Sequence, residues 1–383
     1  MKMLSSHTIK NLMYRELKDV GFKFKRNALV PPNLKNKDAL RRAHKSAKSY
    51  LLLKNKDWII NNEKHLTDFL ANGEDVKPHE ISPKLVLVDN QEKSNLFRYA
   101  SYLWSIPISS GFGRRLRYLI LDKSNNKLIG IIGLTDPVIG LKVREDYLGW
   151  NKKQKEKMLW HVMDLYVFGA VPPYNYLLGG KLIATLATSD QVRRDFMKKY
   201  ATGRSEISRR NYRSRKGGLV LLTTTGAFGE SSILDRLKTQ NDRLLWQFQG
   251  FTQGWGFFHL NNGIATKMYE YLVETDNDII RRNRFGDGPN WKMRVLRECM
   301  KKLKIDYQKY GKHGIKRGFY MAPLAENFRE FLNGEDKKPK FYKQTVGELF
   351  EFFKERYLLP RAKRNLEWEN FNKNKIKVST MLK

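Results

Sequence analysis

One short segment of the chain contains three side chains that could move protons or hold phosphate. The sequence KHGIKRGFY includes His313, Arg317 and Tyr320 within eight residues. An imidazole exchanges protons near neutral pH, and a guanidinium can hold a phosphate or stabilise developing negative charge. This mixture predicts a catalytic group. The alternative is a basic loop that contacts a nucleic-acid backbone without chemistry.

Two further catalytic candidates lie upstream of this segment. His259 ends a glycine-spaced aromatic segment, FQGFTQGWGFFHL, and Asp136 follows a strand-like run. Together with Asp287 they form the one combination that we would test for a metal nuclease, and we predict no metal site from it. The single cysteine, Cys299, excludes an intramolecular disulfide and a cysteine-rich zinc site.

A glycine pair followed by lysine, at residues 179–181, precedes an apolar run. Backbone N–H groups at a helix start favour an anion, so Lys181 is a candidate phosphate contact. A Walker loop requires a glycine where Asn175 stands and a serine or threonine where Leu182 stands, so we expect no ATP hydrolysis by this chain alone. Two interpretations stay open: an anion contact close to the histidine and arginine of the first segment, or a tight turn into a buried helix.

Small hydroxyl groups follow another strand-like segment. Three successive threonines end at Thr225, and the sequence FGESS contains Ser231. This sequence lacks the G-x-S-x-G spacing of a nucleophile elbow, so it indicates either a phosphate or substrate contact or only a polar loop before a helix. Outside the densest basic stretch, the candidate phosphate-binding residues of the chain are Arg144, Lys181, Thr225, Ser231 and Lys292.

The chain carries a large excess of positive charge. Its 383 residues include 73 lysine and arginine residues against 39 acidic ones, for a formal net charge of +34. Such a field attracts nucleic acid, and we predict DNA as the partner. The densest basic stretch has interleaved tyrosines, and its candidate backbone contacts are Arg193, Arg194, Arg209, Arg210, Arg213, Arg215 and Lys216.

The sequence contains no segment typical of a membrane protein. Its apolar runs are shorter than the roughly 18 residues that a spanning helix requires. The N-terminus has polar residues where a signal peptide would have its apolar stretch. We therefore expect a cytoplasmic protein without a membrane partner.

The apolar pattern predicts a mixed α/β (α+β) fold. RRLRYLILD and KLIGIIGLTDP are apolar runs joined by a KSNN turn, which indicates a hairpin in a buried mixed sheet flanked by helices. A helix is predicted from Gln154 to about Phe168. The predicted regions are a basic helical region over 1–80, an α/β core over 81–200, a second α/β portion over 201–345, and a basic helix and tail over 346–383.

Six segments appear in an order that resembles the DruA family of the Druantia anti-phage defence system. They are LIGIIGLTDPVIGLKVREDYLGW, PPYNYLLGGKLIATLATS, LLTTTGAFGESS, GWGFFHL, GDGPNWKMRVLRECMKKL and KHGIKRGFYMAPLAENFREFLNGE. The resemblance runs from about Phe97 to Glu335. It implies a role in bacterial defence against phage, with other defence-system proteins, including a helicase, as candidate partners. It supplies no catalytic residue, and the cofactor stays unknown.

Three classes of function follow from these features. The first is a DNA-binding defence protein that could also cut or modify DNA. The second is an acyltransferase-like or nucleotide-dependent transferase, because the hairpin resembles the mixed sheet of acyltransferases, although their glycine-arginine phosphate loop is absent. The third is a non-enzymatic adaptor that its charge holds on nucleic acid. Whether the chain is an enzyme stays open.

Overall fold

The protein was studied as a computed structural model, which describes residues 5–25, 28–32, 37–106, 108, 113–202, 217–227, 229–276, 278 and 291–382. Within these residues, a seven-stranded mixed sheet lies between layers of helices. The predicted mixed α/β fold is therefore confirmed.

The sheet is built from strands with one parallel neighbour pair. A separate two-stranded ribbon consists of β1 (Lys23–Lys25) and β2 (Ala28–Val30). The strands of the main sheet are β3 (Pro83–Leu87), β4 (Arg115–Asp122), β5 (Leu128–Thr135), β6 (Val162–Ala170), β7 (Leu221–Thr225), β8 (Gln247–Phe251) and β9 (Gly318–Pro323). Their order is β3-β4-β5-β6-β7-β9-β8, and only β6 and β7 run parallel.

Helices cover the sheet and form the N-terminal and C-terminal regions. Those in the described ranges are α1 (Ser6–Asp19), α2 (Lys37–Ala43), α3 (Lys45–Lys54), α4 (Lys56–Leu66), α5 (Gln91–Tyr102), α6 (Lys142–Leu148), α7 (Lys152–Met158), α8 (Gly179–Leu186), α9 (Asp190–Tyr200), α10 (Asn262–Thr275), α11 (Trp291–Lys302), α12 (Tyr307–Gly311), α13 (Phe328–Asn333), α14 (Val346–Phe353) and α15 (Leu359–Arg364). A π-helical turn at Lys354–Leu358 joins the last two.

The hairpin of β4 and β5 is the predicted one, and every residue of β5 is buried. Ile131 packs in a cluster with residues of α4 and α5, whereas Ile129 and Ile132 pack with residues of α8. A strand that is covered on both faces is apolar throughout, which explains the continuous run of isoleucine and leucine.

The predicted helix from Gln154 to Phe168 is wrong in its second half. The helix α7 ends at Met158, and β6 begins at Val162. Burial alternates along the later residues of β6, which is the period of a strand. The sequence HVMDLYVF has apolar residues at spacings that suit both the helical period of about 3.6 residues and the strand period of about two. Pairing with β5 is what selects the strand.

The parallel pair β6 and β7 stays in register over a short length. Three residue pairs join the strands, from Val162 with Leu221 to Asp164 with Thr223. Beyond them, the Thr224 hydroxyl donates to the Leu165 carbonyl over 2.7 Å. The longer β6 then leads into α8, while β7 ends at Thr225.

A second core lies beside the main one and joins distant parts of the chain. It contains Ile9, Met13 and Leu17 of α1, together with apolar residues of α10 and α11. The amphipathic faces of these three helices are buried against one another, which removes apolar surface from water. The N-terminal helix is therefore packed against elements that follow it by about 250 residues in sequence.

The basic C-terminal tail folds back onto the N-terminal region. The helix α14 begins with a capping box of Thr345 and Glu348. Downstream of α15, the Phe371 carbonyl accepts a hydrogen bond from the Gly73 N–H over 2.8 Å. The Ser379 N–H donates to Glu63 over 3.0 Å. These contacts fix the tail at two points of the N-terminal region.

We predict that Gly73→Ala detaches the tail, because a Cβ at this position would lie 1.9 Å from the Glu369 carbonyl oxygen. Two backbones would have to move apart, at a cost of about 1–3 kcal/mol. Limited proteolysis should then cleave the region after Asn365 faster than in the unaltered protein.

The control is Gly347→Ala, where a new Cβ meets nothing within 4 Å and the residue lies in α14. Alanine favours the helix at such a site, so this variant should resist the protease at least as well as the unaltered protein. Equal cleavage of the Gly73 variant and the unaltered chain would contradict the docking of the tail.

Candidate functional site

The two glycine-rich segments that contain His259 and His313 lie side by side. The Gly256 N–H donates to the Gly311 carbonyl, and the Gly314 N–H donates to the Gly254 carbonyl, each over 2.9 Å. Gly254 and Gly314 have φ angles of +69° and +72°, which side chains disfavour. A Cβ on Gly254 would lie 2.9 Å from the Gly314 carbonyl carbon. The glycines are thus required for this close approach.

A histidine–arginine cluster forms where the two segments meet. The ring centroids of His259 and His313 are 5.7 Å apart. His44 stacks on Phe258 at 4.4 Å, and the Arg317 guanidinium carbon lies 5.3 Å from the centre of the same ring. The structure therefore brings together three of the predicted catalytic residues. It adds His44, which precedes α3 and which no sequence motif marks.

The hydrogen bonds of the cluster determine its proton positions. The Ile315 N–H donates to Nδ1 of His313 over 3.0 Å, so the neutral ring carries its proton on Nε2. Both ring nitrogens of His259 are buried outside hydrogen-bond geometry with any described residue, although the backbone of Tyr310 approaches the ring. His259 is thus the least satisfied polar side chain of the cluster.

Burial controls the protonation of the cluster. It lowers the pKa of His44 and of His259 to about 3 and the pKa of His313 to about 4. The positive charge of Arg317 contributes to these low pKa values of His44 and His313, and burial lowers the pKa of Arg317 itself. All three imidazoles are neutral at pH 7.

The cluster is closed to solvent in this arrangement. The three histidines are between 1% and 5% exposed. A general acid or base must come within hydrogen-bond reach of the reacting group, and this closure keeps a nucleic acid away. In the described arrangement, the cluster holds the N-terminal helices against the two glycine-rich segments. Its catalytic role stays a prediction.

Two charged side chains, Lys292 and Glu16, lie close to the histidine–arginine cluster. Lys292 donates to the carbonyl of Leu260, and burial lowers its pKa to about 8 against the opposing charge of Glu16. Glu16 accepts from the Asn261 N–H over 2.7 Å and from the Ser46 hydroxyl over 3.1 Å. The ammonium group of Lys292 is therefore directed into the protein and not towards a phosphate.

A second group of predicted residues meets around Asp235. The Tyr320 hydroxyl donates to the Asp235 carboxylate over 3.3 Å and accepts from the Ser231 N–H over 2.7 Å. Lys181 donates to the backbone carbonyl of Asp235 over 2.9 Å. This group lies where α8, which follows β6, meets the loop that follows β7. Asp235 has no motif around it, so the sequence offered no signal for it.

Thr225 lies at the end of β7, and Asp136 and Arg144 have structural partners of their own. Thr225 is paired with Phe319 of β9. Asp136 accepts from the buried Arg114 side chain, with an ion-pair distance of 2.7 Å. Arg144 is fully buried and donates to the carbonyls of Val138 and Ile139 and to Glu145. These contacts shape the loop and helix after β5.

Of the combination that we would test for a metal nuclease, Asp136 and His259 lie in the described ranges and Asp287 lies outside them. Within the ranges that the structure describes, no group of three or more histidine, cysteine, aspartate or glutamate residues is arranged to hold a metal ion.

Exposed basic side chains lie on three neighbouring elements, α7, α9 and residues 337–340, which together are called the basic face. Trp160, just after α7, contacts Phe196 of α9 with ring centroids 5.0 Å apart. Arg193 of α9 lies 4.1 Å from the centre of the Phe341 ring, which follows residues 337–340. The exposed cations of this face include Lys152, Lys153, Arg194, Lys198, Lys337, Lys338 and Lys340.

The residues of the basic stretch that were predicted to contact a nucleic-acid backbone divide into two groups. Arg193 and Arg194 lie on α9 as part of the basic face, and Arg194 is paired with Asp190 over 2.6 Å. The others lie outside the described residues, and they are Arg209, Arg210, Arg213, Arg215 and Lys216.

These features define a basic mixed α/β protein with a closed histidine–arginine cluster. Residues 34–334 match the family described as Druantia protein DruA. The Druantia protein DruA of Escherichia coli (strain UMEA 4076-1) is 36% identical over 362 residues, covering 94% of this chain and 88% of that protein. No solved structure matches the chain. The chain belongs to the DruA family, and it is a DruA-like protein of anti-phage defence.

None of the helices in the described ranges is both long and apolar enough to cross a membrane.

We predict that acid destabilises the protein through the histidine–arginine cluster. Between about pH 6.5 and 4 the unfolded histidines bind protons, while the folded ones stay neutral. The free energy of unfolding therefore falls as the pH drops, by up to about 1.4 kcal/mol per pH unit for each histidine. His44→Gln removes one such group, so its melting temperature should depend less on pH between 7.5 and 5.

The matched control is His79→Gln, because His79 is exposed. Its melting temperature should follow the unaltered protein across the same pH series. A His44 variant with the original pH dependence would show that this ring is accessible to protons in the folded state.

Proposed function

We propose that this DruA-like chain binds DNA through the basic face. The observation that carries the proposal is the placement of exposed lysines from α7, α9 and residues 337–340 on neighbouring elements. The net charge of +34 provides a long-range field that draws a polyanion to the molecule. Neutralised phosphates release bound counterions, which supplies the affinity.

The lysines of the basic face suit contacts with the DNA phosphate backbone better than recognition of a particular base sequence. Lysine is a flexible point charge and suits phosphate, whereas base-specific contacts usually need arginine or amide groups at fixed positions. The described lysines of the basic face are exposed on short helices and on a connecting segment. Binding should therefore be strong at low salt and tolerant of sequence.

Binding, and not cleavage, is the activity that the geometry favours. The histidine–arginine cluster is closed, and the candidate phosphate contacts at Arg144 and Lys292 are directed to protein carbonyls. Any step driven by ATP would come from a partner protein, because the GGK segment departs from a Walker loop at both ends. Other defence-system proteins, including a helicase, are the proposed partners.

We predict that glutamine substitutions at Lys152, Lys153, Lys198, Lys337 and Lys338 weaken binding to DNA of any sequence. Each lost phosphate contact should flatten the plot of log affinity against log salt by about 0.9 for duplex DNA. A filter-binding titration over several salt concentrations measures both the affinity and the slope.

A charge-matched control carries glutamine at five exposed lysines elsewhere, which are Lys54, Lys56, Lys84, Lys363 and Lys375. This control loses the same net charge but keeps the basic face, so its slope should stay close to the original. If both variants lose affinity and slope equally, binding is a property of net charge alone and the proposed face is wrong.

One observation favours a transferase as a second candidate function. The parallel strands β6 and β7 part after three residue pairs, and their carboxyl ends lead to α8 and to the loop that contains Asp235. In open α/β sheets, ligands bind in the crevice outside the carboxyl ends of such strands. Lys181, Ser231 and Tyr320 meet around Asp235, beyond the carboxyl ends of these strands. A nucleotide-bearing acyl donor could place its phosphate there.

We predict that Lys181→Ala separates the two candidate functions. The Lys181 ammonium donates to the Asp235 carbonyl but is less buried than that of Lys292, so its other N–H groups can bind a phosphate. Its loss should weaken the binding of a nucleotide-bearing acyl donor about tenfold, since charge-assisted hydrogen bonds to phosphate are strong. It should leave the DNA affinity and its salt slope unchanged. Calorimetric titration with acetyl-coenzyme A, beside the filter-binding assay, measures both.

The control for this test is Lys84→Ala, an exposed lysine on β3 at the far edge of the sheet. If the unaltered protein shows no saturable heat with the acyl donor, the transferase candidate is removed. Reduced DNA affinity in the Lys181 variant would instead assign this lysine to nucleic-acid binding.

A further inference from the structure

A cavity of about 670 Å³ opens between α6 and a facing segment that consists of the end of β8 and the residues after it. Its walls include Val143 and Tyr147 of α6, Gln249 and Phe251 of β8, and Gln253 and Trp255 after β8. This volume lies in the range of small-ligand sites, about 300–1,000 Å³. None of the residues selected from the sequence as candidate site residues lines it.

Two aromatic side chains of the cavity are exposed, and one of them, Trp255, is held in place by its neighbours. Phe251 and Trp255 are each 44% exposed. Trp255 makes edge contacts with Phe257 and Tyr307, at centroid distances of 5.7 and 6.0 Å. A Cβ on Gly311 would lie 2.7 Å from the indole nitrogen, so the bare glycine backbone supports the ring. Trp255 therefore forms a rigid platform with an accessible surface.

The backbone beside these rings is fixed from behind by the histidine–arginine cluster. Thr252 donates through its N–H to the Arg317 carbonyl over 2.9 Å, and its hydroxyl accepts from the Arg317 N–H over 3.0 Å. On the opposite wall, the buried Arg144 donates to the carbonyls of Val138 and Ile139, just before the cavity-lining residues of α6. Both walls are thus preformed, which reduces the entropy lost on binding.

We propose that this cavity binds one unpaired nucleobase of a nucleic acid. Stacking on an aromatic ring suits every base because each has a π-face. The carboxamides of Gln249 and Gln253 offer donors and acceptors together, which match the edge of a base. Lys142 at the rim is exposed and can approach a flanking phosphate, although it is also paired with Asp146.

The mixed lining favours a nucleobase over an apolar peptide. Polar residues separate the two aromatic ones in the wall formed by residues 249–255, so this wall offers a peptide no continuous apolar surface. The large positive charge of the chain also favours a polyanion that carries the base. The proposal rests on the proposed binding of nucleic acid, but the cavity can be tested without any phosphate.

The first test uses free deoxynucleosides, which lack phosphate and so do not depend on the basic face. Saturation-transfer NMR with deoxyadenosine and thymidine should show saturable contact of the base protons with the unaltered protein. Trp255→Ala should abolish this contact, and Trp255→Phe should keep it because a ring remains for stacking. Absence of saturable contact with the unaltered protein would overturn the cavity proposal, whatever the basic face does.

The second test uses a single-stranded oligonucleotide with one 2-aminopurine and the same sequence as a duplex. Stacking on Trp255 should quench the 2-aminopurine in the single strand. The Trp255→Ala variant should lose the quenching and bind the single strand about tenfold more weakly, with little change for the duplex. Ile60→Ala, at an exposed isoleucine of α4, is the control and should behave as the unaltered protein.

The outcomes separate the two proposals. Loss of duplex and single-strand affinity in the basic-face variant, with nucleoside contact retained, supports both. Nucleoside contact without any binding of DNA would keep the cavity and refute the basic face. Quenching that persists in Trp255→Ala would refute the cavity. So would a Trp255 variant that loses only the binding of a partner protein, since the surface would then dock a peptide.

Discussion

The close contact between β5 and β6 is the constraint on which the rest of the structure depends. A Cβ on Gly130 would lie 2.2 Å from the Gly169 carbonyl oxygen, so a bare backbone is needed at this position. The pairing of these strands is antiparallel and carries an irregularity near Gly133. It sets the direction of β6, and β6 in turn determines where β7, α8 and the loop around Asp235 can lie.

Local pairing could be predicted from the sequence, and distant pairing could not. The β4–β5 hairpin is specified by two apolar runs and a turn in which Asn126 adopts a φ of 58°. The parallel neighbour of β6 comes from a strand about 59 residues away, as the contact between Thr223 and Asp164 shows. Hydrophobic periodicity contains no information on such a partner. Residues 162–168 were predicted as a helix because their apolar pattern alone does not show that they pair with β5.

The candidate site shows a related limit of sequence reasoning. The chemistry of their side chains makes His259, His313 and Arg317 separate catalytic candidates, and the structure brings the three together, although no sequence pattern predicts that they meet. Residue type alone cannot distinguish an arginine that binds phosphate from one that binds carbonyls. Arg144 is buried with backbone partners, so its charge stabilises a loop. His44 and Asp235 reach their places only through tertiary packing, and no local pattern marks them.

The return of the tail to the N-terminal region has a consequence for synthesis on the ribosome. Val378 is fully buried in the same cluster as Leu52 and Ile59. The helices around residues 45–66 therefore expose part of their apolar surface until a segment more than 300 residues later has been translated. During that interval, this apolar surface is open to aggregation and to binding by a chaperone. The cluster around α3 and α4 is thus completed only when the last residues of the chain have been translated.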